Sequence, residues 1–366
     1  MDGWRTTFIR VTDSWTLAVR RDDLSHAVLV ANPVPGLTDG EALLRVDRVG
    51  VTANNVTYGV LGDSFHYWDF FPATAGGLGP EAGLVPLWGF AEVEKSTVDG
   101  VEVGQRLYGY LPPAGHLVVR PGRVDGRGFR DVSDHRGHLP SPYNVYRLTT
   151  ADPIYEAGQE DLLILFRPLF FTSFMLADQL ADNGYHGART LVLSSASSKT
   201  AYAAAFELHG RGPRVVGLTS PGNVGFARGL GCYDDVLRYD EVDALALSDT
   251  VYLDLSGRPE VRTALRERLG ARLVRDIAVG LTFQVPNAAS AQAVFFAPAQ
   301  MRKRTVDWGR EGLDARFGDA WRRFSSVVRP WIDVSVGHGP EALRAAWLEV
   351  LGGRTPPRTG HVVDLS

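Results

Sequence analysis

The sequence is poor in the residues that build covalent or metal-held folds. It has one cysteine, Cys232, in 366 residues. That excludes a disulfide framework within the chain and any multi-cysteine zinc centre. A lone cysteine also suits a reducing, cytoplasmic setting. Long apolar runs are scarce too. The most apolar window, "LLILFRPLFFTSFMLA" from Leu162 to Ala177, is shorter than a membrane span and contains Arg167 and Pro168. It reads as a buried helix entered through an Arg-Pro turn. The opening "MDGWRTTFIRV" has no apolar core of the kind a signal peptide needs. Neither sign of charge dominates: 38 Lys and Arg stand against 42 Asp and Glu. A nucleic-acid or membrane surface is therefore not an expected partner. The signatures "HExxH" and "GxSxG" are also absent. His135 and His138 share a loop, but no carboxylate stands at a metal-site spacing from them, and no metal centre is expected.

What is present changes along the chain. Up to about residue 150 the reading is β-rich, with short strands such as "EALLRVDRVGV" and "LWGFAEVEKS" separated by Gly and Pro. The aromatic stretch "YGVLGDSFHYWDFFPA" lies between them, and "RVDGRGFRDVSDHRGHLPSPYNVY" reads as loop. Then strands and helices alternate: "RTLVLSS", "SKTAYAAAFELHG", "RVVGLTS", "GNVGFARGLG", "TVYLDLSG", "PEVRTALRERLG" and "ARLVRDIAVG". Such alternation predicts a parallel α/β sheet. The tail returns to one amphipathic helix and a terminal strand, suited to completing the first sheet.

One turn lacks the residue most expected there. In "LVLSSASSKTA", Leu191 to Ala201, a strand passes into a helix without a single glycine. Three readings compete. A P-loop is suggested by "SKT", but its backbone cradle needs glycines, and only Asp254 offers itself as a magnesium partner. A dinucleotide turn is suggested by small residues at spacing three, Ser195, Ser198 and Ala201. Ser197, Lys199 and Thr200 then join the phosphate site at the helix start. A plain crossover with a serine cap needs no ligand at all. The next strand bears on the choice. It ends "VVGLTSPGN", with no acid to bond a ribose 2′-hydroxyl. Thr219, Ser220 and Asn223 are neutral donors there, a setting that favours NADP over NAD.

The ordered blocks resemble the medium-chain dehydrogenase/reductase superfamily, on its zinc-free, quinone-reductase-like side. "EALLRVDRVGVTANNVTYGVLGD" resembles its early strand and loop. "LWGFAEVEKSTVDGVEVGQRLYGYLPPAGHLVVRPG" is similar to its "GxExxGxV…VGDRVxG…GxxAEYV" block. "FARGLGCYDDVLRYDE" is similar to "AKxLGADxVINY", and "LEVLGGRTPPRTGHVVDL" to the closing "GKxxGKxVL" turn and strand. Two departures mark a divergent branch. The Gly-rich turn is serine-rich, and "LWGFAE" stands where zinc enzymes have "GHE".

The resemblance implies an α/β fold: a Rossmann-type doubly wound parallel sheet over residues 158–296, with a β-rich GroES-like catalytic domain from residues 1–157 and 297–366. It implies NADPH in the cleft and a homodimer through edge strands. Among site residues, Tyr58 is the expected proton donor and Asn55 a positioning group for substrate or cofactor amide. His66 and Trp68 form an aromatic substrate wall or, equally, a hydrophobic plug. Arg167 is read as an anion anchor or a structural ion pair. Thr172 and Ser173 fall where related enzymes bring a helix N-terminus to the nicotinamide. Gly280, Leu281, Phe295 and Phe296 fall at late strand ends. The basic run Met301 to Arg304 faces an anionic ligand or solvent. The function so implied is reduction of a ketone, or of an alkene conjugated to a carbonyl, in a small organic substrate. The alternatives are a non-redox enzyme such as a lyase, and a binding protein with a degenerate cofactor site.

Overall fold

The structure, a computed structural model, describes residues 14–280 and 293–366. The chain divides into two compact units, Met1–Leu165 with Ile332–Ser366, and Phe166–Trp331.

The first unit is built on strands. They are β1 (Ser14–Arg20), β2 (Ala27–Asn32), β3 (Ala42–Val51), β4 (Ala82–Gly83), β5 (Leu87–Ser96), β6 (Arg106–Leu111), β7 (His116–Val119), β8 (Pro121–Asp125), β9 (Gly128–Asp131) and β10 (Val145–Leu148). The expected loop over "RVDGRGFRDVSDHRGHLPSPYNVY" is thus partly sheet. β8 and β9 form a hairpin and β10 pairs with β9 and β6. The strands are short and interrupted by Gly and Pro, so periodicity does not mark them. A single short helix, α1 (Ala53–Val60), follows β3.

The second unit contains β11 (Thr190–Leu193), β12 (Arg214–Thr219), β13 (Asp235–Arg238), β14 (Thr250–Asp254), β15 (Leu273–Val279) and β16 (Ala293–Phe295). All pair in parallel, in the order β13-β12-β11-β14-β15-β16. Counted within the unit, that order is 3-2-1-4-5-6, the doubly wound dinucleotide arrangement. β11 and β14 are buried throughout, as central strands covered on both faces must be. The helices of this unit are α3 (Lys199–Leu208), α4 (Val224–Gly229), α5 (Pro259–Leu269) and α6 (Ala297–Val328), the last broken at Gly309 with φ +69°.

Helix α2 (Glu160–Asp182) contains the apolar window. The Arg-Pro pair was expected at its entrance, but Pro168 lies inside it. Proline removes one intrahelical bond there. Packing compensates. Phe170 stacks on Phe324 of α6 with ring centroids at 4.6 Å, Phe166 meets Phe324 edge-on at 5.4 Å, and Phe174 meets Phe317 edge-on at 5.7 Å. This aromatic stripe also explains why residues 297–331, expected with the catalytic domain, group with the second unit. No described helix is long and apolar enough to cross a membrane.

The tail returns to the first unit. α7 (Gly339–Leu351) buries Leu343, Ala346, Trp347 and Val350, one helical face. β17 (Asp333–His338) and β18 (Thr359–Asp364) pair in parallel, and β18 closes antiparallel against β3. The α/β fold with a β-rich partner domain is the one expected.

Candidate functional site

In a sheet of this order, the crevice outside the carboxyl ends of the strands binds ligands where the order reverses. Here that point lies between β11 and β14. The turn from Ser194 to Ser198 joins β11 to α3 at this edge.

Each serine of the turn has its own structural use. Ser195 stands at φ +52°, the region glycine adopts most easily. Its amide donates to the Tyr239 hydroxyl at 3.0 Å. Ser198 caps α3, its Oγ accepting from the Ala201 amide at 3.3 Å. Ser197 Oγ accepts from Asn223 Nδ2 at 3.1 Å and from Thr219 Oγ1 at 3.4 Å. Ser194 is buried, donating to Asp254 at 3.2 Å and accepting from the amides of Leu255 and Ser256. Between them, Ala196 is held by Tyr233, whose hydroxyl donates to its carbonyl at 2.9 Å.

Lys199 opens α3 and is half-buried. Burial pushes its ammonium down to about 8. An anion at the helix start favours the charged form and opposes that shift. Thr200 follows it, and its carbonyl accepts from Ser173 at 2.8 Å. At the end of β12, Thr219 is buried, and Ser220 Oγ accepts from Asn223 Nδ2 at 3.1 Å. Ser197, Thr219, Ser220 and Asn223 are therefore one connected group of neutral polar side chains, with no carboxylate among them. Arg228 is directed elsewhere, donating to the Val236 carbonyl at 3.0 Å.

Asp254 ends β14 and is enclosed. It accepts from Ser194, Tyr252, the Ser256 and Gly257 amides, and Arg262 at 2.8 Å. Burial alone raises its carboxyl, but Arg262 and these other donors outweigh it and hold the carboxyl below its ordinary value. So committed, Asp254 is unsuited to bind the magnesium that a P-loop needs. Further along the same edge, Gly280 follows β15 at φ +66°, and Phe295 is buried at the end of β16. Phe296 is exposed and precedes α6. Leu281 lies outside the described residues.

Several expected site residues have other uses. Thr172 lies inside α2 rather than at a helix N-terminus, and its hydroxyl donates to the Pro168 carbonyl at 3.0 Å. Arg167 is half-buried on the same helix. Lys303 and Arg304 of the basic run pair with Asp182 and Asp178 of α2.

In the first unit, Asn55 is buried and used at both ends. Its Oδ1 accepts from the Thr52 amide at 2.7 Å, and its Nδ2 donates to the Pro86 carbonyl at 2.8 Å. It fixes the start of α1. Tyr58 is buried in an aromatic cluster with Tyr67, Trp88, Tyr110 and Tyr143. Its hydroxyl accepts from Asn54 at 2.6 Å and from Trp88 Nε1 at 3.1 Å. Burial, followed by Tyr143, drives the phenol far above its ordinary value. That is the reverse of the tuning a proton donor requires. Trp68 is buried under Arg21, whose guanidinium lies 5.6 Å over its ring. His66 is exposed and bonded to Asp69. Of the rest of the aromatic stretch, Phe70 and Phe71 are also buried, and Phe65 is exposed. Cys232 is buried, and burial pushes its thiol up to about 12.

Sequence reasoning missed Tyr239 and Tyr233 as parts of the turn. The signal available was position. Tyr239 directly follows β13, on the edge where ligands bind in such sheets.

Residues 49–356 match the family described as "Protein of unknown function (DUF2855)". The chain belongs to that family. No curated protein sequence matches it. Solved structures share its fold over almost the whole chain at low identity. CurA from Vibrio vulnificus in complex with NADPH is 16% identical, with 96% of this chain and 99% of that one covered and a TM-score of 0.60. The yhdH oxidoreductase from Salmonella enterica in complex with NADP is 14% identical, with 96% and 100% covered and a TM-score of 0.51. A thermostable alcohol dehydrogenase from Pyrobaculum aerophilum, bound to cobalt and zinc, is 16% identical, with 96% and 99% covered and a TM-score of 0.52. The doubly wound sheet with a β-rich partner domain expected from the sequence is the fold that this DUF2855 chain shares with these oxidoreductase structures.

Proposed function

We propose that the chain is an NADPH-dependent oxidoreductase that reduces a ketone, or an alkene conjugated to a carbonyl, in a small organic substrate. The observation that carries the reading is the serine turn at the switch point, with Lys199 at the helix start and an acid-free cluster at the end of β12. Bound there, NADPH would supply the hydride that such a reduction needs. The chain's residues bind and orient. Ser195, Ser198 and the start of α3 receive the pyrophosphate, with Lys199 as counter-charge. Ser197, Thr219, Ser220 and Asn223 face the 2′-phosphate side, where a carboxylate would repel it. Gly280 and Phe295 line the nicotinamide end of the strand edge. Water would deliver the completing proton, since Tyr58 is buried and burial makes its hydroxyl a poor acid.

The same reading places the enzyme in the cytoplasm, without catalytic zinc and as a homodimer. Light scattering tests the last point and should give twice the 39.9 kDa of one chain. The cofactor reading is tested by fluorescence titration. NADPH should bind at about micromolar concentration or tighter, and NADH at least about tenfold more weakly. No NADPH binding in that range would sink it. A non-redox reaction on the same cofactor fold is the second reading, and the burial of Tyr58 favours it. Tight NADPH binding without oxidation across ketones and enones would select it.

A further inference from the structure

We infer that His66, Asp69 and His138 form a binding site for a divalent transition-metal ion of the zinc class. The three side chains come from two separate segments. His66 precedes the 3-10 turn Tyr67–Phe70, which contains Asp69, and His138 follows the turn Asp134–Arg136. His66 Nδ1 lies 3.0 Å from Asp69 Oδ2, and His138 Nε2 lies 3.5 Å from the same oxygen. All the ligand atoms fall within 4.8 Å of one another. Ligand bonds of about 2.0–2.2 Å place the corners of a tetrahedral zinc site roughly 3.3–3.5 Å apart. The group is therefore already close to ligating spacing, and small side-chain rotations complete it.

The site rests on a rigid base. Arg136 is buried and ion-paired to Asp131 at 3.1 Å, with both side chains 1% exposed. Its guanidinium also lies 4.7 Å over Phe71 and 5.7 Å over Phe70. These contacts fix the His138 turn against the segment carrying His66 and Asp69. His66 itself stands at φ +60°, in the left-handed region that histidine enters more readily than most residues with a side chain. Asp69 and His138 also line a cleft of about 210 Å³ with Arg21, Trp68 and His135. Three protein ligands beside an open cleft leave a coordination position for water or a small anion. Two imidazoles and one carboxylate select zinc, nickel or copper over magnesium and calcium, which take oxygen ligands. The sequence hid the site because Asp69 and His138 are 69 positions apart.

The test uses tag-free, chelator-stripped full-length protein titrated calorimetrically with zinc chloride, alongside magnesium and calcium chlorides. One equivalent of zinc is expected to bind, and neither of the others. The double variant His66→Asn, His138→Gln should lose that equivalent, with affinity down about tenfold or more. Asparagine tolerates the backbone conformation at 66, so this change is not expected to disturb the fold. Asp69→Asn provides an independent check on cobalt-loaded protein and should abolish the visible bands of four-coordinate cobalt. Zinc uptake equal in wild type and double variant, or no stoichiometric uptake by wild type, would overturn the assignment. So would unchanged cobalt bands in Asp69→Asn.

Discussion

The backbone amide of Ser195 donates to the hydroxyl of Tyr239 across 3.0 Å, joining the β11 turn to the end of β13. Because the hydroxyl accepts from the amide, its own proton is directed away from the turn. Under the proposed function that proton meets a cofactor oxygen. Tyr239→Phe should therefore weaken NADPH about fivefold to tenfold, the worth of one hydrogen bond. Chemical denaturation should show a stability loss of about 1 kcal/mol.

Under the proposed function, Lys199 should set the pH dependence of cofactor binding. Its ammonium titrates near 8 in the free protein, and a bound phosphate raises that value. Below 8 the charge is present before binding. Above 8 binding must take up a proton, so affinity falls as pH rises. NADPH dissociation constants measured from pH 7 to 10 should stay level to about 8 and then rise, approaching tenfold per unit. Lys199→Ala should bind more weakly and give a flat profile.

The end of β12 decides between cofactors. Ser220→Asp introduces a carboxylate beside Ser197 and Asn223, on the side that the proposed function assigns to the 2′-phosphate. NADPH affinity should drop about tenfold or more while NADH is unchanged or improves. Equal losses for both would move the 2′-phosphate elsewhere.

Tyr58 should prove dispensable for chemistry. Tyr58→Phe removes the acceptor for Trp88 Nε1 and Asn54 but keeps the ring in its cluster. The expected cost is about 1–3 kcal/mol in urea unfolding, with kcat changed by less than about threefold. A large fall in kcat at preserved stability would restore Tyr58 as the proton donor.

The buried pair Arg136–Asp131 should be much less forgiving. Arg136→Ala removes the ion-pair partner of the buried Asp131, which keeps its hydrogen bonds from Ser133 and the Arg120 amide. A loss of about 3–5 kcal/mol is expected in urea unfolding, far above that for Tyr58→Phe.

Much of the fold was legible because its signals are local. Alternating apolar strands and helices marked the parallel sheet, and the ordered blocks at both chain ends marked the β-rich unit. The hairpin β8–β9 was not legible, since strands this short carry too little periodicity. Pro168 was misplaced because proline normally ends a helix, whereas here burial and the aromatic packing of Phe166, Phe170 and Phe174 against α6 carry the helix past it. In the site, the serine turn and the acid-free strand end could be read from neighbouring residues. Asn55 and Tyr58 could not, because beside the local Thr52 and Asn54 each bonds one partner, Pro86 or Trp88, about 30 positions away. Family resemblance placed them near the chemistry, while burial gave them structural work.

The close passage of the serine turn over β12 has one further result. The Ala196 amide bonds the Leu218 carbonyl at 3.0 Å. A β-carbon on Gly217 would lie 2.7 Å from that of Ala196 and 3.0 Å from the Tyr233 ring. The clearance that glycine ordinarily gives inside a dinucleotide turn is here given by the adjacent strand. The requirement for glycine has been moved, not abolished. In a library of variants, position 217 should admit almost nothing else, whereas position 195 should accept glycine freely.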